Sequence, residues 1–404
     1  MSTAEMYEYQ EVAADKLREY CDFVLGTLSR ADQRRWGEVY VRGLLYCEGR
    51  RSIKRIAEQV GGCSDQSLQQ FVNQSPWDPH PVRQRLASVL SHWLRPTAWV
   101  LEEVAFDKYG QQSAGVERQF VPSQGRVRNC QLGAVAMLAS ENATVPVDWR
   151  LSVPKAWDDD PARRKNAHLP PDQRHQPYWR YQVEMLDDLS GDWGVPLAPV
   201  LVDARCCKAP EQLVAELENR GLEYLVRLSS EFTARHRMAL DARRVDGARP
   251  ARIDQRPVRR FTVVWQPPAL AHHVRSQFAM VPAHLPVPVE QSVAAARQVT
   301  LRRTLLMEWR LGGATPRGYW LTNMNDRSVA ELASLVKIGP RARYDLDELT
   351  GSVGLGHHEG RSFGGWHHHV TLVSVAQAFR VLESMCPPGA SPIPDEIRRP
   401  EFCW

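Results

Sequence analysis

The stretch "PLAPVLVDARCCKAPEQLVAELENRGLEYLVRLS", residues 196–229, reads as strand, helix, strand. Its opening is a near-continuous apolar run that ends in Asp203. A run without polar alternation suits a strand covered on both faces, as in a parallel sheet. The helix "EQLVAELENRG" is stopped by Gly221, and "EYLVRLS" follows as the next strand. Strands linked by helices argue an α/β core around a central sheet.

Working outward, the same texture begins near residue 98. "WVLEEVAFDKYG" (99–110), "CQLGAVAMLAS" (130–140) and "VPVDWRLSVP" (145–154) read as strands, and a helix runs through Val183, Met185, Leu186 and Leu189. Residues 1–95 read as helical. Within them Ile53, Ile56, Ala57 and Val60 form one short apolar face, Gly61-Gly62 a turn, and Leu68, Phe71 and Val72 a second face. Two short helices about a glycine turn resemble a helix-turn-helix. The second would expose Gln66, Gln69 and Gln70, side chains able to reach base edges or phosphates. A plain helical hairpin with a solvated amide face is the other reading.

Residues 231–260 carry nine arginines after Phe232, broken by Pro and Gly, and read as a loop or insertion. "RRFTVVWQ" and "QVTLRRTLLMEWR" read as strands on either side of a Pro-rich stretch. "SVAELASLVK" (328–337) and "GWHHHVTLVSVAQAFRVLES" read as helices, and the Pro-rich end as a tail. The expected organisation is a helical N-terminal region (1–95), a first part of the core (96–230), a basic insertion with strands and loops (231–325), the last part of the core (326–385) and a tail (386–404).

The 404 residues carry a net charge of +4, with 43% hydrophobic and 24% charged residues, an ordinary globular composition. No apolar run reaches the ~18 residues of a membrane-spanning helix. The N-terminus lacks the basic-then-apolar pattern of a signal peptide. The eight cysteines form no CxxC pair, so buried free thiols in a cytoplasmic protein are expected.

Two acids stand at the ends of apolar strand-like runs: Glu102/Glu103 and Asp203. Carboxylates converging at neighbouring strand ends could hold Mg2+, a hard ion that takes oxygen ligands. Two such ions, about 3.5–4 Å apart, clamp the attacking and leaving oxygens of a phosphoryl transfer, and a third carboxylate normally completes the shells. Strand-end acids also serve as helix caps and surface charges.

Further segments carry a likeness. They are "YVRGLLYCEGRRSIKRIAEQV" with "SLQQFVNQSPWD", "SAGVERQFVPSQGRVRNCQLGAVAMLAS", "LSVPKAWDDDPARRKNAHLP", "VLVDARC" with "GLEYLVRL", and "GLGHHEGRSFGGWHHHVTLVSVAQAF". In this order they resemble the IS701 group of bacterial insertion-sequence transposases, within the IS4-like class. The likeness runs over most of residues 20–380 and is weakest over about 235–325. It implies an RNase-H-like core, binding of double-stranded DNA, and cleavage and strand transfer by an Asp-Asp-Glu triad on two metal ions.

Carried over position by position, the triad is altered. Glu103 takes the place of the first aspartate; its extra methylene displaces the oxygens by about 1–1.5 Å, and ~1 Å of misplacement can cost ~10²-fold in rate. Asp203 matches the second acid. At the third, in "GPRARYDLDELTGSVGLGHHEGRS" (339–362), an ungapped alignment puts Arg343 where the glutamate stands, while a two-residue deletion puts Asp345 there. The ungapped register keeps Arg341, Asp345, Leu349 and Gly351 aligned. A guanidinium at a metal-binding position repels Mg2+.

Arg50, Arg51, Lys54, Arg55, Arg243, Arg244, Arg259 and Arg260 form the main positive inventory for phosphate contacts. The runs "HH" (357–358) and "HHH" (367–369) lack a Cys at ligand spacing and read as structural or DNA-facing rather than as zinc ligands. The leading expectation is a transposase-derived DNA-binding protein, cytoplasmic and nucleoid-associated, with impaired or lost strand transfer, and dimeric on DNA. Two rivals stand beside it. One is an active metal-dependent transposase using Glu103, Asp203 and Asp345 with Mg2+. The other is a protein scaffold that has left DNA.

Overall fold

The computed structural model describes residues 3–236, 259–267, 272–283, 285, 302–387 and 390–398. Helices α1 (Thr3–Val24), α2 (Ala31–Tyr46), α3 (Ile53–Val60), α4 (Asp65–Asn73) and α5 (Pro79–Leu94) come first. Then follow strands β1 (Ala98–Asp107), β2 (Glu117–Val121), β3 (Arg126–Ala139) and β4 (Thr144–Leu151), and helices α6 (Pro161–Asn166) and α7 (Tyr178–Ser190). Strand β5 (Val200–Asp203), helix α8 (Pro210–Asn219), strand β6 (Tyr224–Leu228) and helix α9 (Ser230–Arg235) form the strand–helix alternation. Strands β7 (Phe261–Trp265), β8 (Val274–Ala283), β9 (Arg303–Arg310) and β10 (Gly318–Thr322) precede helices α10 (Val329–Ser352) and α11 (Phe363–Met385). This is the mixed α/β, RNase-H-like arrangement expected: N-terminal helices and a large mixed sheet.

The chain forms two compact units. Unit 1 is Met1–Pro96, Glu103–Pro196 and Asp345–Trp404; unit 2 is Thr97–Glu102 and Leu197–Tyr344. The division falls inside β1, between Glu102 and Glu103, and inside α10, between Tyr344 and Asp345.

In unit 1, β2 pairs antiparallel with the start of β3 (Glu117 with Cys130 to Val121 with Arg126), and β4 pairs with its end. Helix α11 is buried on every face from Gly365 to Ala376, packed by β4, α2 and α5. Trp366 on α11 meets Trp149 on β4 and Phe106 on β1 edge-on, ring centroids 6.2 and 5.5 Å apart. The turn between α3 and α4 uses Gly61 and Gly62 at φ 74° and 67°, where an L side chain is strained. Ser52 and Ser64 cap the two helices, accepting from the backbone N–H of Arg55 and Ser67.

Helix α3 sits on α2 only because residue 43 is glycine. A Cβ there would lie within 3.0 Å of three side-chain atoms of Ile56. Gly43→Ala is therefore expected to cost about 1–3 kcal/mol through overpacking. Chemical denaturation checks it; an unchanged midpoint would show that Ile56 can repack freely.

In unit 2 the strand order is β1-β5-β6-β10-β9-β8-β7. The first three are parallel and the rest antiparallel. Strands β8 and β10 correct the sequence reading. The first lies in the stretch taken as Pro-rich connection, where Pro282 and the prolines beyond it masked the strand. The second is too short, at Gly318–Thr322, to show a period.

Candidate active site

The site in unit 2 is built from strand register. Parallel pairing of β1 with β5 matches Trp99 to Val200, Val100 to Leu201 and Leu101 to Val202. One step further sets Glu102 beside Asp203, and on the other side Asp203 is paired with Arg227 of β6. Paired residues share a sheet face. Two carboxylates and a guanidinium therefore lie in one row across the strand ends.

Two more guanidiniums close on that row. Arg205, just past β5, holds Asp203 through Nε (2.9 Å to each oxygen), Nη2 (2.7 Å) and its backbone N–H (3.1 Å). Arg227 approaches the same carboxylate only to 3.6 Å. Arg343 on α10 stands 3.6 Å from Glu102, whose side chain is only 15% exposed. The hydrogen bonds to Asp203 hold the Arg205 pKa above its ordinary value. Burial, then the Arg205 charge, pulls that of Arg227 below it.

Two carboxylates thus face three guanidiniums. Such a donor set does not fit a pair of divalent cations. Each acid already lies against an arginine, and an entering ion would meet three positive charges. Among the described residues no group of three or more His, Cys, Asp or Glu is arranged to hold a metal ion.

The other expected acids belong to unit 1. Glu103 points away from the face carrying Glu102, because neighbouring strand residues alternate. It accepts from the backbone N–H (3.2 Å) and hydroxyl (3.0 Å) of Ser123 and so pins the turn between β2 and β3. Asp345 accepts from the Thr144 hydroxyl. Sequence reasoning set Glu103 with Asp203; the register sets Glu102 there. It also passed over Arg205 and Arg227. Arg227 did carry a signal, as the one charge inside the apolar run "EYLVRLS".

The expected DNA-facing residues divide. Gln66, Gln69 and Gln70 are exposed along α4, and Lys54 is exposed on α3. Arg50 is also exposed, but pairs with Glu359 at 2.8 Å. Arg51 is tied inward to the carbonyls of Leu44 (2.7 Å) and Gly351 (2.9 Å), a structural role. Arg55 bonds the Glu48 carbonyl. Arg260 donates to the Gly313 carbonyl and stacks on Trp309, while Arg259 lies over Phe261. Arg243 and Arg244 lie outside the described residues.

The histidine runs are structural. His368 stacks on Trp77 with centroids 3.9 Å apart, and its ring nitrogens face the carbonyls of Val72 and Trp77 at 2.8 Å. His369 bonds Tyr40 and the Leu355 carbonyl. Among the described cysteines all are free; Cys206 is exposed, against the expectation of burial.

Compared with known protein families, residues 24–304 match the family described as DDE superfamily endonuclease. No curated protein matches the chain. Among the described residues no helix is long and apolar enough to cross a membrane.

Proposed function

On the premise that this chain belongs to the DDE superfamily endonucleases, we propose that it is a transposase-derived protein that binds double-stranded DNA and has lost metal-dependent cleavage and strand transfer. The carrying observation is the placement of Arg205, Arg227 and Arg343 against Asp203 and Glu102. In a two-metal mechanism the acids must be free to share cations that stabilise both reacting oxygens. Here guanidiniums take up that charge. The exposed amides of α4 and the exposed Lys54 of α3 supply groups for base edges and phosphates. The protein then acts as a regulator or structural factor on DNA, as a homodimer related to the IS701 group and associated with the nucleoid.

Calorimetric titration with Mg2+ and Mn2+, on the wild type and on Asp203→Ala, tests the metal half. No heat of binding that depends on Asp203 is expected. A duplex-DNA gel shift on the same samples should show binding in both. Tight metal binding lost in Asp203→Ala would restore the enzyme reading instead.

A further inference from the structure

We propose that Arg227, with Arg205 and Arg343, holds a backbone phosphate of DNA directly, without a metal ion, at the strand ends of unit 2. The inference rests on the DNA-binding reading above and deepens it.

Charge balance is the first argument. Neutralising Glu102 and Asp203 takes two guanidiniums, and three are present. Glu308, on the same sheet face through its pairing with Gly318 and Phe278, is matched by Arg317. The carboxylate of Asp203 is taken up by three side-chain bonds and one backbone bond from Arg205. Arg227 approaches that carboxylate only to 3.6 Å.

Geometry is the second. The Arg227 Nε is buried with no hydrogen-bond partner. The guanidinium lies over the Trp320 ring, 5.4 Å from its centroid, and 31% of the side chain stays exposed. Trp320 is itself paired across the sheet with Arg227, and its indole folds over Gly318, where a Cβ would clash with the ring. A planar fork held on an aromatic face, partly desolvated and under-neutralised, suits the two non-bridging oxygens of a phosphodiester. Burial, then the neighbouring Arg205 charge, lowers the proton affinity of Arg227, with Asp203 and Glu308 opposing the shift.

The test uses the full chain and a short fluorescent duplex of arbitrary sequence, titrated between 50 and 200 mM NaCl with EDTA present. Each phosphate contact adds about 0.9 to the slope of log K against log salt. Arg227→Ala should lower that slope by about one and weaken binding several-fold across sequences. Arg227→Lys should keep most of the slope, since it keeps the charge. Full binding in EDTA is expected for the wild type.

An Arg227→Ala slope equal to wild type, with Lys54→Ala lowering it, would overturn the proposal. The DNA-binding reading would stand on α3 and α4. Binding abolished by EDTA would overturn it too. A wild type with no salt-dependent DNA binding would remove the reading beneath it as well.

Discussion

Arg83→Met is expected to lower the stability of unit 1 by about 3–5 kcal/mol, the cost of breaking a buried ion pair from one side. Arg83 on α5 is 3% exposed and its partner Asp148 on β4 is fully buried. The guanidinium donates to Asp148 Oδ1 (3.0 Å), the Trp149 carbonyl (2.9 Å), the Thr371 hydroxyl (2.8 Å) and the His367 carbonyl (3.3 Å). One side chain thereby ties α5 to β4 and α11. Burial pushes its pKa down to about 10, so it stays charged at neutral pH. Arg150 also reaches Asp148, at 2.8 and 2.9 Å, and the Trp149 backbone N–H donates to it at 2.8 Å, so the aspartate keeps these two partners in the variant. The carbonyls and the hydroxyl keep none from Arg83. At about 2–4 °C per kcal/mol for a unit of this size, the melting point should fall by about 6–20 °C. Adding Asp148→Asn should return part of the loss by removing the buried charge. A single variant that melts with the wild type would show that the network is not what joins the three elements.

That network illustrates what a one-dimensional reading can and cannot reach. Arg83, Asp148 and His367 lie far apart in sequence, and each alone looks like a surface charge. The strand ending at Asp203 was legible because a parallel strand buried on both faces has no polar residue to interrupt it. The hairpin of α3 and α4 was legible because its glycines and apolar faces are local signals. Which of Glu102 and Glu103 joins Asp203 was not. Residues 98–101 are all buried, so no alternation sets the phase of β1, and two adjacent acids look equivalent until a partner strand fixes the face. The antiparallel extension was half legible. β7 and β9 have apolar cores, whereas the prolines at the end of β8 concealed it. Arg343 was singled out by its alignment with an acid, but its contact with Glu102 depends on α10 lying against β1, which no local pattern encodes.

Acid is expected to unfold unit 1 well before most carboxylates titrate, and the histidines are the reason. His369 is fully buried. Its Nε2 faces the Leu355 carbonyl at 3.1 Å and must donate, which leaves Nδ1 to accept from the Tyr40 hydroxyl at 3.0 Å. The neutral ring is satisfied at both nitrogens, and a second proton would have to turn the Tyr40 hydroxyl from donor to acceptor. Burial holds the His369 pKa down at about 4. His358, stacked on it with centroids 5.0 Å apart, and His367, beside Arg83, are pushed down by burial as well. His368 is also lowered by burial, with its two carbonyl partners opposing the shift. The sign follows from linkage. The unfolded chain takes up these protons near pH 6.5, the folded chain only at lower pH, so stability is complete above about 6.5 and falls as pH drops. A depression of about 2.5 units at His369 alone amounts to about 3 kcal/mol lost between pH 6.5 and 4. Urea unfolding at steps from pH 7.5 to 4.5 should show a midpoint that is flat at the top and declines below 6.5. His369→Phe, itself destabilising through the lost bonds, should shrink the pH-dependent part of that decline. A midpoint unchanged from pH 7.5 to 5 would mean that these rings are protonated or solvated in the folded chain, contrary to their packing between α2, α11 and the Leu355 turn.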